Sequence, residues 1–160
     1  MRTTLFCLTL LLSVAACETS TDPFIGFSGT GALTQAQATG DWSFTVQQSG
    51  PLACTSGSLA NGQVLTTHLD VLSAGTLAPA TSFWQNLSTA PQRPLSGSVN
   101  LATGATLLLM TSSAGSSSAM ELRGTMTATG SFSGTLTDPE AGSFEVFSAC
   151  AYTTTGNKTA

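Results

Sequence analysis

The chain has 160 residues, a formal net charge of −4 and only 8% charged residues. With four Lys and Arg in all, no basic patch can assemble, which argues against nucleic acid as a partner. Sixteen glycines and abundant threonine disfavour long helices and favour strands joined by tight turns.

The N-terminus is organised as a secretion signal. Arg2 is followed by an apolar run, Leu5, Phe6, Cys7, Leu8, Leu10, Leu11 and Leu12, and then by small residues at Ala15 and Ala16. The run is shorter than the roughly 18 residues a spanning helix needs. It ends on Val14-Ala15-Ala16-Cys17, which resembles the lipobox of bacterial lipoproteins. The resemblance implies that residues 1–16 are removed and that Cys17 becomes the lipidated first residue, its thiol diacylated and its new amine acylated, usually with palmitate. It implies a protein anchored in the cell envelope. Glu18, where an aspartate would retain the protein at the inner membrane, favours the outer membrane. Ordinary signal cleavage with a free Cys17 thiol is the other reading.

Without the signal, 144 residues remain, carrying three cations against eight acids, a net charge of −5. That is one domain's worth of chain. Cys7 leaves with the signal, and a lipidated Cys17 leaves Cys54 and Cys150 as a natural disulfide pair in an oxidising compartment. Two buried thiols are the alternative. The bridge would close a loop of about 95 residues, worth about 4.7 kcal/mol in the chain-entropy model.

Residues 17–39 read as a lipid-anchored tether, reaching about 25 Å if flexible. Phe24, Ile25 and Phe27 are too apolar for a plain linker and either tuck against the domain or dip into the lipid interface. Residues 32–38 suit a short helical turn. The folded domain is expected over 40–152. Trp42, Phe44 and Val46 alternate with polar residues, the period of a half-buried strand. Residues 54–59 are a weak second strand, and Asn61-Gly62 is a tight-turn signal. In 63–72, Leu65, Leu69 and Val71 share one face and His68 and Asp70 the other.

Pro79, Pro91 and Pro94 forbid a continuous central strand over 73–94. Within it, 82–87 is either a short edge strand or a loop or lid that carries Phe83 and Trp84. Leu95, Gly97, Val99 and Leu101 then alternate with polar residues up to a turn at 102–104. Residues 106–111 are apolar on both faces and are expected to be covered on both sides. A serine-rich loop spans 112–118. Met120, Leu122, Gly124, Met126 and Ala128 form the next inner face, and Phe132, Gly134 and Leu136 the one after, stopped by Asp138-Pro139. The last strand is expected over 144–152, with Phe144, Val146, Cys150 and Tyr152 on one face and Glu145 and Phe147 on the other. Residues 153–160 read as a frayed, flexible tail.

These elements make an all-β fold, an antiparallel up-and-down β-barrel of about eight strands, with a two-sheet sandwich as the competitor. The Gly40-Asp41-Trp42 start resembles the G-x-W opening of lipocalins and related calycin barrels. There the tryptophan closes the barrel floor against a basic residue from a late strand, which assigns that part to Arg123 and implies carriage of a small apolar ligand or lipid.

Chemistry is thin. His68 and Asp70, two apart on one strand, are able to share a hydrogen bond, but no nucleophile motif accompanies them. One histidine and a paired cysteine set do not make a metal site, and no cofactor is expected. Glu121, Asp138, Glu140 and Glu145 read as solvated carboxylates. Phe83 and Trp84 are the candidate ligand or partner contacts, with burial in the fold as the competing fate. The expectation is a non-enzyme: either a binder of a small apolar ligand or lipid, or a non-catalytic interaction, adhesion or assembly module.

Overall fold

The computed structural model describes residues 31–49, 59–86, 90–111, 119–143 and 148–159. One short helix, α1 (Gln35–Ala38), precedes eight strands: β1 (Gly40–Gln48), β2 (Val64–Leu69), β3 (Phe83–Gln85), β4 (Arg93–Val99), β5 (Ala105–Thr111), β6 (Ala119–Met126), β7 (Ser131–Ser143) and β8 (Ser148–Lys158). Each strand pairs antiparallel with the next, and β8 pairs back with β1, so the sheet closes into an up-and-down barrel. Closure gives every strand a neighbour on both sides and decides against the sandwich. Followed strand by strand from Trp42, the register returns to β1 about ten residues further along, the stagger that tilted strands need to close.

The period-two pattern chooses the inside. Trp42, Phe44 and Val46 of β1 are at most 1% exposed, and Leu65, Leu69, Leu95, Leu108, Met110, Leu122, Met126 and Leu136 join them. The centre is aromatic. Trp42 stacks along Phe44, with centroids 6.2 Å apart, and Phe44 meets the edge of Phe132 at 5.1 Å. Glycines make room for these rings. Gly124 and Gly134 face each other across β6 and β7, and a Cβ on Gly134 would lie 2.7 Å from the Phe132 ring and 2.1 Å from the Arg123 carbonyl oxygen. Phe44 lies against Gly156 of β8 in the same way.

Several expectations change. Residues 33–38 belong to the domain rather than to the tether. Leu33 is buried and its N–H donates to the Leu101 carbonyl, while α1 opens on a Thr34 and Gln37 capping box and its Ala38 is fully buried. β3 is no edge: it pairs with β2 on one side and β4 on the other, its three residues occupying the gap between the prolines. Pro94 fits inside β4 because the β4–β5 ladder starts only at Leu95, and the Thr111 carbonyl at that end accepts from the Trp84 indole instead. β7 runs straight through Asp138-Pro139, with a register shift between Asp138 and Ser143 that relieves the ladder where Pro139 has no N–H to give. β5 is covered on one side only: Leu108 and Met110 are buried, but Leu107 and Leu109 are half-buried on the outside, since a single-walled barrel has no second layer.

The C-terminal stretch is the largest correction. β8 extends to Lys158, and residues 153–158 pair with β1 and β7. The alternation there is invisible in sequence because the inward positions are Thr154 and Gly156, which carry no large apolar side chain. The last strand is described from Ser148; Phe144, Glu145, Val146 and Phe147 lie outside the described residues, as do most of the expected second strand at 54–58 and the serine-rich loop.

Candidate functional site

The two aromatics of β3 part company. Neighbouring residues on a strand point to opposite faces. Trp84 goes inward, 2% exposed, and its indole N–H donates to the Thr111 carbonyl at 3.0 Å. The Arg93 guanidinium lies 5.2 Å from its ring centroid. Phe83 goes outward and is half-buried. Trp84 is therefore core, and of the two only Phe83 offers a surface.

Phe83 sits in a short row on the outer wall. Asp41, His68 and Phe83 are cross-strand neighbours on β1, β2 and β3. The His68 ring stacks on Phe83 with centroids 5.5 Å apart, and Nδ1 lies 2.6 Å from Asp41 Oδ1. His68 pairs with Asp41 rather than with Asp70. Asp70 falls just past the end of β2, accepts from the Thr81 hydroxyl at 2.5 Å and donates its own N–H to Ser82 Oγ at 3.0 Å. The partner of His68 was hidden in sequence because it lies 27 residues away and meets the histidine only through the β1–β2 register.

Arg123 does not reach Trp42. It is on the outer face of β6, hydrogen-bonded to Glu121 two residues earlier. That bond, opposed by partial burial and aided by the glutamate's charge, holds the guanidinium above its usual range. On β8 the cross-strand neighbour of Trp42 is Lys158. Lys158 Nζ donates to the carbonyls of Ala36 and Gln37, at 2.7 and 3.3 Å, and so satisfies free acceptors at the end of α1. Trp42 donates its indole N–H to Ala38, again at the end of α1. Gln35 and Gln37 reach the Val71 and Ala128 carbonyls. Helix and strands together close this end of the barrel. Beside the helix lies a shallow groove of about 460 Å³, bordered by Gln37, Ala128, Thr129, Lys158 and Thr159.

At the other end, Cys150 is 5% exposed and faces Asp138 across the β7–β8 ladder. Two residues on, the Tyr152 hydroxyl accepts the Leu59 N–H at 3.1 Å. Cys17 and Cys54 lie outside the described residues. Among the described residues no three His, Cys, Asp or Glu side chains gather as a metal site, and no helix is long and apolar enough to cross a membrane.

Comparison of the chain with known protein families, with characterised proteins and with solved structures returned no match.

Proposed function

We propose that this is a lipid-anchored protein of the bacterial cell envelope whose barrel is a filled, non-catalytic scaffold for interaction or assembly, rather than a carrier. The observation behind the choice is the packing of the described interior. An eight-stranded barrel is either filled by side chains or holds one small ligand, and here Trp42, Phe44, Phe132 and Trp84, none more than 3% exposed, lie inside it among aliphatic neighbours. Carriage of a small apolar ligand, the other expectation, needs a vacant apolar interior. The organic extract of protein purified without detergent tests the choice: a filled scaffold yields only its own anchor, and a stoichiometric second lipid or small molecule sinks it.

The anchor rests on the lipobox at 14–17. Labelled palmitate is expected to enter the protein and to be lost in Cys17→Ser. Unlabelled protein, or a Cys17→Ser form processed and released as before, overturns the anchor and leaves the scaffold to be judged alone.

A Cys54–Cys150 bridge belongs to the same reading. Leu59 is tied to Tyr152, so the chain that leads back to Cys54 departs beside the strand holding Cys150. Five residues span up to about 17 Å when extended, ample for the two sulfurs to meet. Mass mapping of unreduced peptides is expected to find this pair joined.

A further inference from the structure

Among the described residues, two buried hydroxyls inside the barrel have no hydrogen-bond partner. Thr67 Oγ1 on β2 and Thr154 Oγ1 on β8 are buried and make no hydrogen bond, although their residues are only 3% and 1% exposed. They contrast with the buried hydroxyls nearby. Thr106 donates to the Gly104 carbonyl at 3.0 Å, Ser82 accepts from the Asp70 N–H, and Tyr152 accepts from Leu59. The indoles of Trp42 and Trp84, the cross-strand neighbours of Thr67, already donate to Ala38 and Thr111. Thr154 has Val46 on one side and Gly134 on the other, and neither side chain can bond to it.

A buried hydroxyl without a partner forfeits its hydration for no return. Valine has the same shape and equal preference for strands, and the chain places Val46 and Val99 at other interior positions. Threonine at 67 and 154 therefore calls for a partner. We propose that each hydroxyl binds an oxygen that the chain does not supply, making two small polar sites on the strands flanking β1, either side of Phe44. Phe44 is paired with Leu65 on β2 and Gly156 on β8, so each threonine lies one inward position away from it. The chemistry both sites require is one hydrogen-bonding oxygen, from water or from a polar group on a small guest.

Thr67→Val and Thr154→Val in the full mature chain test this, because they delete the hydroxyl and keep the shape. If the sites are filled, each variant strands its guest and Tm falls by about 3 °C. If they are empty, removing an unpaired hydroxyl leaves Tm unchanged or raises it, and the proposal is overturned. A second measurement does not depend on variants folding. In the unmodified protein, water is expected to show nuclear Overhauser contacts with the Thr67 and Thr154 methyl groups, lost from each site in its valine form. If a guest supplies the oxygen instead, a native mass spectrum shows an adduct beyond chain and anchor, which supports these sites while removing the filled-scaffold reading above. If neither a water contact nor an adduct is found, the proposal is overturned.

Discussion

β7 and β8 run side by side for 13 and 11 residues, whereas β3, on the other side of the barrel, has three. The long pair is regular except for the register shift between Asp138 and Ser143. Its described inner face carries Phe132, Leu136, Cys150, Tyr152 and Thr154 with Gly134 and Gly156 between them, and its outer face is mostly serine and threonine. The short side is patched together. Isolated bridges join Val71 to Leu77 and Thr76 to Ser98, and side chains complete what the ladder lacks, as where Gln63 bonds Asn86 and Gln85 bonds the Ala90 carbonyl. A closed barrel thus tolerates a weak stave if a large buried side chain stands behind it. Trp84 is that side chain: it fills the interior and ties β3 to the end of β5 through its indole.

The comparison breaks first at Trp84. Trp84→Ala empties the largest volume on the thin side and orphans the Thr111 carbonyl, so chemical denaturation is expected to show a loss of about 4 kcal/mol. On the thick side the danger is excess rather than loss. Gly134→Val places carbon against the Arg123 carbonyl and the Phe132 ring, and about 3 kcal/mol of stability should go. Thermal melts of the two variants decide whether one wall matters as much as the other. If Gly134→Val is tolerated, the ring does not lie where described.

Tyr152→Phe sharpens the contrast between wall and loop. The ring stays, but the Leu59 N–H loses its acceptor, which costs about 1–2 kcal/mol. Amide exchange at Leu59 is expected to rise while β7 and β8 amides stay protected. Smallest is the outer ion pair. Glu121→Gln should cost well under 1 kcal/mol, because both side chains are about one-third exposed. A raised arginine pKa stabilises below the unfolded value and is lost only as pH rises through the arginine range, so Arg123 adds no slope to a stability profile between pH 5 and 9. A marked slope that vanishes in Glu121→Gln contradicts that.

Of the candidate site, sequence separated very little. Phe83 and Trp84 look equivalent as adjacent aromatics, and only the facing of β3 sends one into the core and leaves the other stacked on His68. Lys158 looked like part of a loose tail, yet it caps α1 from the last strand. Thr67 and Thr154 read as ordinary strand residues until their surroundings show that nothing answers their hydroxyls.

The alternation of apolar and polar residues determined, without help, that strands form, which faces of β1, β2, β4, β6 and the start of β7 turn inward, and that turns fall at Asn61-Gly62 and at 102–104. Period is a local property, carried by each strand's own side chains. Closure, the pairing of β8 with β1, the rescue of β3 from the edge and the helix across one end are relations between segments as much as 122 residues apart, as in the Lys158 to Ala36 bond. Those were decided only when eight twisted, tilted strands met in one register, because the free energy that selects them comes from edges satisfied and a shared interior filled.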